Sequence, residues 1–251
     1  LVVAAVAAAS AACVRPCAAL RFKATFGCDI DALGYACTYD RTYTYTAFTG
    51  GSNLNLRDDE DGWVLFTDGF RFPYFGVLYR EMVVCNDGYV RFVPRGADRF
   101  CRQNYDPPSP SDLRTSAIRV LHADWDLSRA EATVRSGALP PLPDGTQRWA
   151  VSWLDVSLYG RYANSQYRTS LNLELHSTGA FHLQLKDFSG VDWDHYRAAI
   201  SFQSADGDGR TFYHARPRDT AAPLHDFEVR YVPAPAPTKR PTAAPTARPS
   251  A

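Results

Sequence analysis

Asp87-Gly88-Tyr89-Val90-Arg91-Phe92, read after Phe70-Arg71-Phe72-Pro73-Tyr74-Phe75-Gly76, places two strands, a tight turn and an aromatic layer within one short window. Asp-Gly supplies the positive backbone angles of a hairpin turn, and apolar residues at alternate positions are the period of a half-buried strand. Residues 82–93 are therefore expected to form a hairpin turning at Asn86-Asp87-Gly88. A second hairpin is clearer still. Leu171, Leu173 and Leu175 alternate before Ser177-Thr178-Gly179, and Phe181, Leu183 and Leu185 alternate after it, with Asn172, Glu174, His182 and Gln184 on the other face.

Trp149, Val151 and Trp153 point one way, then Val156 and Leu158 continue with a changed phase, which predicts a strand carrying a bulge or a face exchange. Residues 198–203, 210–213 and 226–232 read as further short strands, and 101–112 and 135–145 as long loops. Tyr39, Tyr43 and Tyr45 alternate with Thr38, Thr42 and Thr44 in the manner of an edge strand. Between residues 60 and 232 no stretch has the length and period of an amphipathic helix. The expected class is all-β: an antiparallel sandwich, or a distorted barrel.

The ends differ in character from this middle. Residues 1–12 are an apolar run closing on small residues, expected to be a secretory signal peptide truncated at its start. Residues 18–53 read as a small disulfide-tied segment, 54–232 as the sandwich, and 233–251, rich in Pro, Ala and Thr, as a disordered stalk. The six cysteines fit an oxidising compartment. Local spacing favours Cys28 with Cys37 and Cys85 with Cys101; Cys13 and Cys17 would pair with each other, or Cys13 would leave with the signal peptide. Lys plus Arg (27) balances Asp plus Glu (27), so no net field draws the chain to nucleic acid or to an anionic membrane. Membrane association is expected only through a region beyond this sequence.

Asp58-Asp59-Glu60-Asp61-Gly62 comes first along the chain, followed by Phe70 to Gly76, Asp87 to Phe92, Ala123-Asp124-Trp125-Asp126 and the Trp149 to Trp153 strand. This order of motifs resembles the extracellular nidogen-like module, which also occurs in plexin-domain-containing surface proteins. The likeness spans about residues 54–214, with Asp87, His122 and Cys85 departing from the residues usual at their places. It implies an adhesion or matrix-interaction module that binds an extracellular protein or a glycan and does no chemistry.

The acidic run at 58–61 suits a solvated turn before a strand; the alternative is Ca²⁺, with Asp58, Asp59, Asp61, Asp124 and Asp126 as candidate ligands. Asp206-Gly207-Asp208-Gly209 is ordinary turn chemistry with the same alternative. Asp124 and Asp126 flank Trp125 at strand spacing, so their carboxylates would lie side by side on one face, where a hydrolase needs them across a cleft. No His-Glu-x-x-His or Gly-x-Ser-x-Gly pattern occurs, so no catalytic residue is expected and the chain reads as a non-enzyme. Trp193, Tyr196, Tyr159 and Tyr162 fall in expected loops, where rings stack on sugars or anchor a protein partner. A lectin-like module is thus the first alternative, and a divergent secreted hydrolase using Asp124 and Asp126 the second.

Overall fold

Both hairpins form. In the computed structural model, which describes residues 27–28, 34–40, 42–57, 61–93, 101, 116–159, 168–186, 199–204, 211–215 and 226–234, the described residues contain strands and turns and no helix. The strands are β1 (Gly27–Cys28), β2 (Tyr35–Asp40), β3 (Ser52–Asn53), β4 (Asp61–Leu65), β5 (Phe72–Tyr74) and β6 (Val77–Tyr79). They continue as β7 (Glu81–Cys85), β8 (Tyr89–Phe92), β9 (Ser116–His122), β10 (Trp125–Asp126), β11 (Thr133–Leu139) and β12 (Arg148–Leu158). The last five are β13 (Thr169–His176), β14 (Phe181–Leu185), β15 (Ala199–Gln203), β16 (Thr211–Ala215) and β17 (Phe227–Pro233).

A nine-stranded sheet runs β1-β2-β17-β14-β13-β12-β11-β3, with β10 paired to β12. A six-stranded sheet runs β16-β15-β9-β8-β7-β4, and β5-β6 form a separate ribbon. The two larger sheets share no strand and do not close, so the fold is an antiparallel sandwich rather than a barrel. Trp149, Val151, Trp153, Leu171, Leu173, Leu175, Phe181, Leu183 and Leu185 of the large sheet join Val84, Val90, Phe92, Ile118, Val120 and Phe202 of the small one in a single buried cluster.

The ribbon supplies the aromatic layer foreseen in the sequence. It turns at Phe75-Gly76, both with positive φ (46° and 78°), the geometry of a two-residue hairpin loop. Phe72 and Tyr74 are fully buried and each packs on Phe92 at 4.9 Å between ring centroids, while the Tyr74 hydroxyl donates to the Ala117 carbonyl at 2.9 Å. An aromatic ring in such a layer combines a large apolar burial with edge-to-face contacts, and truncating one costs about 3–5 kcal/mol.

The phase change in β12 is a bulge. The register with β13 shifts between Trp153 and Val156, and Asp155 takes φ 53° with its N–H bonded to Ser170 Oγ at 3.0 Å. Several expectations are corrected. Residues 135–139, read as loop, belong to β11, paired with β12 from Thr133↔Leu154 to Leu139↔Arg148. Ser136-Gly137 resembles turn chemistry, but the glycine serves a close approach: a β-carbon at Gly137 would stand 2.6 Å from the Gly51 Cα beside β3. The tyrosine-threonine alternation at 38–45 is a strand only as far as Asp40. There Oδ1 accepts from the Thr42 N–H (2.8 Å) and hydroxyl (2.7 Å), a side-chain turn that competes with the ladder. Nor is β2 an edge: it lies between β1 and β17, so residues 35–40 of the segment read as a separate lobe are part of the large sheet.

Candidate functional site on the outer face of the large sheet

Alternation along β12, β13, β14 and β17 sends one set of side chains to the core and the other to the far face of the sheet. Register then decides which of the second set meet. Ser152, Asn172, Gln184 and Glu228 stand in one row across the four strands, and Glu174, His182 and Arg230 in the next; Arg148 lies opposite His176.

The first row is a hydrogen-bonded chain. Ser152 Oγ donates to Asn172 Oδ1 (2.5 Å), Asn172 Nδ2 to Gln184 Oε1 (3.2 Å), and Gln184 Nε2 to Glu228 Oε1 (3.0 Å). Residues 45–46 cross over it: the Tyr45 hydroxyl donates to Asn172 Oδ1 (2.9 Å) and Asn172 Nδ2 to the Thr46 carbonyl (2.9 Å). Ser152 and Asn172 are therefore buried although polar, and burial pushes the Tyr45 phenol up.

The ionisable groups cluster on and around the second row. His176 Nε2 lies 2.8 Å from Glu174 Oε1, Arg148 Nη1 donates to the same oxygen at 3.1 Å, and His182 Nδ1 stands 3.4 Å from Glu228 Oε1. Arg230 Nε also bonds Glu228. Burial acts to raise the Glu228 carboxyl, but the bonds from His182, Gln184 and Arg230 outweigh it and bring it from 4.5 down to about 2. Glu174 is shifted in the same direction: burial opposes, and the His176 bond with the His182 and Arg148 charges prevails. Both carboxylates are thus ionised at neutral pH. The two imidazole rings are 4.4 Å apart at their centroids, and one ligating atom from each of Glu174, His176 and His182 lies within 4.8 Å of the others. Among the described residues this is the grouping of three or more metal-type ligands. Alternation along the chain is enough to put Glu174 and His182 on one face, but only the turn at 177–180 sets them directly opposite each other, with His176 two residues away.

The residues singled out in the sequence are dispersed. Asp61 Oδ2 accepts the Cys101 N–H at 3.1 Å. The Asp126 carboxylate accepts the Ser128 N–H (2.9 Å) and hydroxyl (2.5 Å) at Oδ1 and meets Arg129 Nε (3.4 Å) at Oδ2. Asp124 and Asp126 are not alternate residues of one strand. The chain leaves the small sheet at His122, and β10, which pairs with β12 in the large sheet, begins only at Trp125, so Asp124 lies in the crossing. The Asp124 carbonyl accepts the N–H of Tyr159, a half-exposed ring (54%). Asp58, Asp59, Tyr162, Trp193 and Tyr196 lie outside the described residues. Cys85 and Cys101 are joined by a disulfide, and Cys28 stands in register opposite Cys37, which is itself disulfide-bonded. His122 packs edge-on against Tyr89 at 5.0 Å, a cross-strand role.

A family model described as "NIDO related" matches residues 34–217, well over half of the chain. The chain belongs to the NIDO-related family. No curated protein and no solved structure matches it. The NIDO-related match begins at the start of β2, in keeping with that strand's place in the large sheet, and takes in every strand through β16. β17 lies beyond it and yet fills the gap between β2 and β14, so the NIDO-related sandwich of this chain is completed by residues past the match. The departure at Cys85 has a structural cause in its disulfide with Cys101.

Proposed function

We propose that this NIDO-related chain is a non-catalytic module, secreted or displayed at the cell surface, that serves adhesion or matrix interaction by binding an extracellular protein. The observation that carries the reading is the family match over residues 34–217, the family being one of extracellular modules. The Cys85–Cys101 disulfide supports it, because such bonds persist in oxidising compartments. So does β4, which ends the strand order of the small sheet among the described residues and exposes Trp63 (48%) and Leu65 (54%) at alternate positions. Large half-exposed apolar side chains on a terminal strand suit a protein contact better than a solvated surface.

The test is retention of the full chain, made by a secretory route, on arrays of matrix proteins and glycans, beside a Trp63→Ala/Leu65→Ser variant. Saturable binding to a matrix protein, weakened at least about tenfold by the double variant, is the expected result. Binding confined to glycans and abolished by Trp193→Ala would replace it with the lectin-like reading. A turnover lost in Asp124→Asn at unchanged stability would replace it with the hydrolase.

A further inference from the structure

We propose that Glu174, His176 and His182 form a binding site for one divalent transition-metal ion of the zinc type. The spacing suits such an ion. Two ligands bound at about 2.0–2.1 Å and a tetrahedral angle lie about 3.4 Å apart. His176 Nε2 and Glu174 Oε1 are already 2.8 Å apart, and all three ligating atoms fall within 4.8 Å, so an ion needs only a modest inward turn of one side chain.

The supports are those a metal-binding imidazole requires. A ligating histidine commonly gives its second ring nitrogen to a carboxylate, which fixes the tautomer and aims the other nitrogen at the metal. Glu228 stands in this relation to His182, 3.4 Å from its Nδ1, and Glu228 is itself held by Gln184 and Arg230. Glu174 is steadied by Arg148, whose Nε and Nη2 are anchored on the Pro140 carbonyl at 2.9 and 2.8 Å. The Arg148 charge opposes a cation, so an ion must displace the His176 hydrogen bond and share Glu174 with the guanidinium. Two imidazoles with one carboxylate select zinc, nickel or copper over calcium, whose preference is for oxygen ligands. Three protein ligands leave a coordination position for water or for a group from a binding partner. All three residues sit on the β13–β14 hairpin, so the backbone register already holds the ligands close to one another.

The experiment uses the full chain, stripped with chelator and titrated with Zn²⁺ against a chromophoric competitor, with Co²⁺ as a spectroscopic probe. One equivalent bound per chain and a visible Co²⁺ spectrum of low coordination number are expected. His182→Gln, which can still bond Glu228 and so keeps the hairpin, and His176→Ala should each abolish both signals. Glu228→Gln should weaken zinc by about 10–100-fold through loss of imidazole orientation. Circular dichroism and melting of each variant without metal separate lost ligation from lost folding. Absence of zinc binding by the wild-type chain, or binding that survives in the folded His176→Ala/His182→Gln double variant, would overturn the site. Neither result bears on the adhesion reading, which rests on the family match.

Discussion

The indole of Trp153 donates from Nε1 to the carbonyl of Cys85 at 2.8 Å, joining a strand of the large sheet to a strand of the small one through the middle of the core. Both residues are fully buried, and Cys85 carries a disulfide besides. A polar bond at this depth aligns the sheets as well as holding them, because sliding one over the other would leave donor and acceptor unmet where no water reaches.

Trp153→Phe keeps a ring in the layer and removes the donor. It should lower unfolding free energy by about 1–3 kcal/mol from the orphaned carbonyl, and Trp153→Ala by about 3–5 kcal/mol. Guanidinium unfolding curves of the two variants against the parent measure both losses; a Trp153→Phe variant as stable as the parent would mean that the hydrogen bond contributes nothing beyond packing.

Gly137→Ala should be destabilising by about 1–3 kcal/mol, an overpacking cost, because its methyl would press on the Gly51 backbone beside β3. Urea midpoints check this. A variant as stable as the parent would show that β3 can shift freely from β11.

Replacing both Cys85 and Cys101 by alanine opens a loop of sequence separation 16. The loss should be about 3 kcal/mol, a fall in Tm of roughly 6–12 °C for a domain of this size. Calorimetry of the double variant against the oxidised parent tests it.

Acid should act through the outer-face carboxylates. Glu228 is depressed from 4.5 to about 2, so the unfolded chain binds its proton first as pH falls. The stabilisation is fully present above about pH 4.5 and is lost progressively towards pH 2, with Glu174 adding in the same sense. Glu228→Gln should flatten this dependence. Urea midpoints at about pH 5 and about pH 3 should differ less in the variant than in the parent, and an unchanged difference would remove Glu228 as a source of acid sensitivity.

Much of the sandwich is legible along the chain, since period-two alternation and Asp-Gly or Gly turns act over a few residues. Leu171 to Leu185, the hairpin at Gly88 and even the bulge after Trp153 follow from such local rules. What alternation cannot convey is adjacency between distant strands. Gly137 reads as a loop residue until Gly51 is brought against it, and residues 35–40 read as a separate lobe until β17, nearly two hundred residues later, pairs with them. The candidate metal site divides the same way. The sequence by itself put Glu174 and His182 on one face of a hairpin; the register that sets them opposite each other, and the arrival of Glu228, Arg230 and Arg148 from other strands, were decided by tertiary structure. Side-chain direction is a property of each strand, whereas proximity is a property of how the strands are stacked.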